Sequence, residues 1–393
     1  MAMKKYLLFF CLILTVIGAC QPAAKEKSEE TVDTSKLTLF IGTYTLKEGH
    51  VDGQGEGVYV YEMDKATGEL SYLATSESVI SPSYLAVHPN GKWVFAVNEF
   101  NGGEEEFASL SVLEYKEADH SLSYLTSANA LGQYPCYVSL DNSGNFAMIA
   151  NYVGGSVAAY AIDNEGLIEE ASSYKQHEGS TTHPRQEAAH AHMIVQHPKY
   201  GWVFAVDLGA DKVFEYKLDT LSMTLDFVAD YPVSEPMSGP RHLAFHPERD
   251  FAYLLNELNG TVEVRQLSEA DHFGTVVQTL STMAEGDERA PASAAIKVHP
   301  SGKFLYASNR GEVNEIVAYA IAEDGTLSPV GWKSTQGLVP RDFEIDPTGT
   351  FLLAANQDSN SIVTFRINQE TGALEETGLV AEVPTPVCIK FRP

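Results

Sequence analysis

Basic residues are scarce in this chain. Its 393 residues include 26 Lys and Arg against 53 Asp and Glu, a net charge of −27. Such a surface repels phosphodiester backbones and anionic headgroups, which excludes nucleic acid and anionic lipid surfaces as partners. Beyond that, an acidic surface implies solubility and little more. Cysteine is nearly absent too. After the first twenty residues only Cys136 and Cys388 remain. Both open inner strands of non-adjacent units in the repeat described below, too far apart for a disulfide. No histidine lies near either in sequence, so two buried free thiols are expected, not nucleophiles. The chain also lacks a Gly-x-Ser-x-Gly elbow and a glycine-rich phosphate loop, which removes a serine hydrolase reading.

The apolar run Tyr6 to Val16 is too short for a comfortable membrane span. With Lys4 and Lys5 before it, it reads as the core of an export signal. Ile17-Gly18-Ala19-Cys20 follows and resembles a bacterial lipobox. Residues 1–19 are therefore expected as a lipoprotein signal peptide, with Cys20 as the lipidated residue and the membrane reached only through that lipid. Residues 20–36 are polar and acidic and read as a disordered tether. The expected location is the cell envelope, on the periplasmic side or at the outer membrane. A monomer is expected.

What the chain has in abundance is one pattern, repeated seven times from Leu37 to Pro393. An apolar strand ends in a turn, usually His-Pro or Asp-Pro, and a second apolar strand ends in Asn or Asp. The second strands read Trp93 to Asn98, Phe146 to Asn151, Trp202 to Asp207, Phe251 to Asn256, Phe304 to Asn309 and Phe351 to Asn356. The first strands before them begin at Tyr84, Tyr137, Met193, His242, Ala295 and Asp342. The seventh copy is split between Val387 to Pro393 and Leu37 to Thr43. A period of roughly 50 residues built from short strands alone predicts an all-β, seven-bladed β-propeller over 37–393. The C-terminal strand should pair with the N-terminal one and leave no open sheet edge. Third strands are expected from Gly57, Ser156 and Ile362. Glycine-bearing turns such as Ala66-Thr67-Gly68 should lead to short outer strands.

Aligned repeats show where the copies differ. The first strands carry Ser83, Cys136, His192, Arg241, Ala294, Arg341 and Val387 at one position. The residue after each second strand is Tyr44, Glu99, Tyr152, Leu208, Glu257, Arg310 or Gln357. In a propeller both sets lie near the axis on the same face. The arginines offer planar forks for carboxylate or phosphate, which points to a pocket for a small anion. Glu257 could pair with Arg241 or Arg310. The connection from Gln176 to Ala191, with His177, His183, Arg185 and His190, could cap the pocket, and glycines in 46–56 and 100–109 suggest mobile rims. His190 and His192 point the same way on a strand, half a metal site. No convincing third ligand follows, and nearby arginines would repel a cation, so neither a metal nor another cofactor is expected. His88, His197, His246 and His299 precede the turns at the other face and read as structural.

Phe40-Ile41-Gly42-Thr43-Tyr44-Thr45, the repeated Val-His-Pro-x-Gly-Lys, His190-Ala191-His192, Gly239-Pro240-Arg241-His242 and Ser308-Asn309-Arg310 together resemble the seven-bladed lactonase family. It contains bacterial 6-phosphogluconolactonases and is similar to fungal carboxy-muconate cyclases. The resemblance implies His192, Arg241, Glu257 and Arg310 as active residues, with His190 a second candidate for the histidine. Substrate contacts would come from Arg341, His190, Glu99, Tyr44, Tyr152 and Gln357. The implied activity is hydrolysis of a small anionic lactone, with a sugar lactone such as 6-phosphogluconolactone as one candidate. Alternatives are a muconate-type lactonising cyclase and a non-enzymatic tethered propeller that binds sugar acids or a protein. Either His192 or Glu257 could activate water; His192 suits neutral pH better if the arginines do not push it too far.

Overall fold

The computed structural model describes residues 35–77, 79–102 and 107–393. The expected signal peptide, the expected lipidation site Cys20 and nearly all of the expected tether lie outside them. Among the described residues the strands form seven four-stranded sheets and one two-stranded hairpin. Every sheet is antiparallel, as a seven-bladed propeller requires. Blade 1 carries the inner strand Pro386–Phe391. Blades 2 to 7 carry Pro82–Val87, Pro135–Leu140, Ala191–Gln196, Pro240–Phe245, Ser293–Val298 and Pro340–Ile345. No helix among the described residues is long and apolar enough to cross a membrane.

The second strands match their expected bounds in blades 2 to 7. They are legible because four of them are buried at every residue, sandwiched between neighbouring blades, and so read as unbroken apolar runs. Inner strands of blades 2 to 7 begin two residues earlier than expected. The outer strands are short at Ser173–Gln176 and Leu70–Thr75, with four and six residues, but Ser121–Asn129, Thr224–Pro232 and Leu374–Glu382 each run for nine. Their outward faces alternate with half-buried ones, which dilutes the apolar signal. Ring closure is as anticipated. Leu39 pairs with Phe391 and Ile41 with Ile389, and Lys36–Thr43 then pairs with Tyr59–Asp64. Both thiols are free and buried.

Each inner strand breaks its ladder at one place. The paired residues skip Ser83, Cys136, His192, Arg241, Arg341 and Val387, and in blade 6 Ala294 with Ala295. These are β-bulges, which leave one residue unpaired and redirect its side chain. Beside them, the N–H groups of Tyr44, Glu99, Tyr152, Leu208, Glu257, Arg310 and Gln357 each donate to the carbonyl just before an inner strand, at 2.7–3.3 Å. Both variable sets are thus held at one end of the axial channel.

The other end repeats one contact in four of the seven blades. Nε2 of His88, His246 and His299 lies 3.0, 3.0 and 2.8 Å from the carbonyl oxygens of Gly144, Gly302 and Gly349 in the next blade. Arg392 does the same for blade 1, donating from Nε to Gly91 O at 3.0 Å. His197 instead packs its ring on Phe245, 4.5 Å between centroids. These histidines stitch blades together, as their place before the turn implied.

Candidate active site

At the variable end a cavity of about 720 Å³ opens. His192, Glu257, Arg310, Arg341, Glu99, Tyr152 and Gln357 line it. Three other expected residues stand behind the wall. Arg241 is 1% exposed and sits against Glu257. Tyr44 is fully buried beneath Arg341, whose guanidinium lies 5.5 Å from its ring centroid. His190 stacks on Tyr152 at 4.8 Å, with Nδ1 toward Tyr152 O and Nε2 toward Glu187. It supports Tyr152 and does not face the cavity.

Glu257 is the electrostatic centre. Its Oε2 lies 3.0 Å from Arg241 Nε, at ion-pair distance without hydrogen-bond alignment. Its Oε1 accepts from Arg310 Nη2 at 2.9 Å and from Arg185 Nη1 at 2.5 Å. The choice between Arg241 and Arg310 was therefore too narrow: Glu257 pairs with both and with a third arginine. Burial would raise its pKa, but Arg310, Arg241 and Arg185 outweigh that and hold the carboxyl at about 2. Burial and the neighbouring Arg310 bring Arg241 down to about 9, still charged at neutral pH. Arg241 Nη1 also donates to Ala294 O. Across the cavity, Arg341 Nη2 faces Glu99 Oε1 at 3.4 Å.

His192 is 5% exposed, and its buried Nδ1 has no hydrogen-bond partner. Burial, then Arg241, His242 and Arg341, push its pKa well below 6.5. Burial leads and the arginines add to it, so the ring is neutral at physiological pH and free to accept a proton. His242 lies below it, 5.1 Å between centroids. Burial pushes the Cys136 thiol well up, which leaves it protonated and inert. Among the described residues no cluster of His, Cys, Asp and Glu is arranged to hold a metal.

Arg185 was seen only as part of a capping connection, yet it enters the site directly. Its signal was the polar density of that connection, which the structure uses as pins. His177 Nδ1 meets Asp207 Oδ2 at 2.8 Å, and Gln186 Nε2 donates to Leu208 O and Asp211 Oδ1 at 2.7 and 2.9 Å. His50 and Tyr134 also line the cavity. His50 rides on the hairpin Lys47–Glu48 and Val51–Asp52, its ring 5.7 and 5.8 Å from those of Tyr44 and Tyr134. This rim is a paired hairpin, not a loose one. Its Gly53 and Gly55 are needed for close backbone approach, since a Cβ there would strike Leu46 O and the Thr43 side chain. The turns feeding the pocket are strained: Ser81, Tyr134, Val339 and Thr385 have φ of 37°, 51°, 57° and 43°. Each such residue is destabilised by about 1–3 kcal/mol and persists only where its surroundings over-determine it.

Residues 38–391 match the model of the lactonase family described as a seven-bladed β-propeller. The chain belongs to that family. It is 31% identical over 357 residues to a 6-phosphogluconolactonase of Bacillus subtilis, covering 91% of this chain and 99% of the relative. A crystal structure of a putative 6-phosphogluconolactonase from Bacteroides fragilis superposes with a TM-score of 0.83 at 32% identity, covering 92% and 99% of the two chains. A periplasmic gluconolactonase of Pseudomonas aeruginosa matches with a TM-score of 0.83 at 32% identity, covering 91% and 99%. Both lactonase-like structures span nearly their whole length on this propeller.

Proposed function

We propose that this chain hydrolyses a small anionic sugar lactone in the cavity at the variable end of the channel. The observation that carries the reading is the convergence of His192, Glu257 and Arg310 on one cavity, with Arg241 directly behind Glu257. The names of its relatives support lactone chemistry.

Water oxygen bonds to the lactone carbonyl carbon while neutral His192 takes one of its protons. Arg310, facing the cavity, holds the carbonyl oxygen as charge builds there; a preorganised donor of this kind contributes about 3 kcal/mol. The ring C–O bond then breaks, and the proton passes from His192 to the departing ring oxygen. The product is an open-chain hydroxy acid, whose carboxyl proton goes to solvent. Glu257 is too acidic to serve as the base. It positions Arg185, Arg241 and Arg310. Acid release over a panel of phosphorylated and plain lactones tests the reading. We expect turnover by the full chain and its loss in His192→Gln; hydrolysis of no lactone in the panel would overturn it.

We also propose export and anchoring through a lipid on Cys20, as a monomer. The lipobox-like Ile17-Gly18-Ala19-Cys20 supports this, as does the likeness to a periplasmic gluconolactonase. Palmitate labelling that persists in Cys20→Ala would refute it.

A further inference from the structure

Three guanidiniums share the one carboxylate of Glu257, so two positive charges at this side of the cavity lack a partner there. The three are not equivalent. Arg241 is 2% exposed at its side chain and also donates to Ala294 O. Arg310 is 15% exposed, and its Nε donates to Ala292 O at 3.3 Å. Arg185 is 48% exposed, and among the described residues its guanidinium is held by Glu257 and by Tyr152 Oη at 3.0 Å. Its backbone is fixed on both sides, by Gln186, fully buried and bonded to Leu208 and Asp211, and by His177 and His190, which meet the two oxygens of Asp207. A firm arm therefore presents a half-open fork at the entrance.

The rest of the molecule works against an anion. A net charge of −27 repels one at a distance, although salt screens that repulsion beyond roughly 8 Å. The pocket must supply the attraction locally. Arg341 is less suited, because Glu99 already faces it at 3.4 Å and it lies over Tyr44.

We infer that Arg185 is the specificity residue of this pocket: it grips a phosphate ester on the substrate, while Arg310 stays on the carbonyl oxygen, and makes the enzyme prefer phosphorylated over uncharged sugar lactones. This rests on the lactonase reading above. The two surplus positive charges can then serve two anionic groups, Arg310 the carbonyl oxygen and Arg185 the phosphate, whose oxygens its planar fork matches pairwise. The Tyr152 hydroxyl beside the fork is free to donate a third bond once Arg185 turns to the ligand. The loop arm is outside the sevenfold repeat, so this preference can change without altering the blades.

The test compares the full-length protein with Arg185→Met and Arg185→Lys on 6-phosphogluconolactone and gluconolactone. The expected result is a fall of about 30-fold in the ratio of the two kcat/KM values for Arg185→Met, the size of one lost charge-assisted contact. Arg185→Lys should lose about 10-fold, since a point charge replaces the fork. An unchanged ratio, with both substrates losing equally, would assign Arg185 to holding Glu257 alone and overturn the inference. Calorimetric binding of 6-phosphogluconate and gluconate reads the same preference without turnover. If wild type hydrolyses neither lactone, the lactonase reading fails. Binding then still decides Arg185: loss of phosphate preference in Arg185→Met keeps the inference and its absence ends it. Should Arg185→Met not fold, Arg185→Lys carries both comparisons.

Discussion

The two ends of the same seven inner strands obey opposite rules. At one end His88, His246, His299 and Arg392 repeat a single act, reaching the glycine carbonyl of the next blade. At the other end Ser83, Cys136, His192, Arg241, Ala294, Arg341 and Val387 share a backbone position and almost no chemistry. Where blades are stitched to one another, four of the seven agree. Where the ladder releases one residue to the channel, they diverge. Substitutions at the stitched end should therefore act on stability, and those at the variable end on turnover.

The strongest way to break this contrast is at the seam. Deleting Pro386–Phe391 removes the inner strand of blade 1 and exposes Lys36–Thr43 as a sheet edge. We expect loss of the cooperative melting transition; a truncated chain that keeps its Tm would deny closure its role. Glu257→Gln is the exception expected at the variable end, because it leaves Arg241 buried without its carboxylate. Breaking a buried pair destabilises by about 3–5 kcal/mol, measurable by urea unfolding, and activity should fall with it. His192→Gln should separate the two effects: a loss of roughly 10²–10⁴-fold in kcat with Tm nearly retained. A large fall in Tm instead would make His192 part of the scaffold.

Acid should sharpen the contrast. His192 and His242 are held well below 6.5 by burial first and then by Arg241, and burial brings His197 down to about 4. The unfolded chain takes up these protons near 6.5 and the folded one does not. Stability is therefore fully present above about pH 6.5 and declines as pH falls toward 4. Scanning calorimetry should record a falling Tm over that range, and His192→Gln should flatten its slope. The smallest effect is expected at the stitched end. His299→Ala removes one blade-to-blade bond and should reduce stability by about 1–2 kcal/mol with kcat/KM unchanged. A loss of activity without a loss of stability there would reverse the comparison.

The second strands and the ring closure were legible because full burial imposes unbroken apolar runs, and the repeat then placed every equivalent residue by angle and height. Depth was not legible. Arg241, Tyr44 and His190 occupy the expected rungs, yet they lie behind the cavity wall, since a repeat does not encode how far a side chain stands from the axis. Arg185 was missed for a different reason. It sits in the longest of the connections between blades, from Gln176 to Ala191, whose length departs from the others, so no alignment of strands could position it. Its pins, His177, Gln186 and His190, were visible as an excess of polar residues, but their partners Asp207, Leu208 and Asp211 lie in another strand and turn.

The skipped residue in each inner strand takes no part in the ladder on which the sheet depends. Seven such slots ring one opening, and each can be rewritten without renegotiating a strand register. A scaffold of this kind can acquire a different substrate by exchanging a few side chains in parallel, so a combinatorial library confined to these slots should remain folded while its members differ in what they accept.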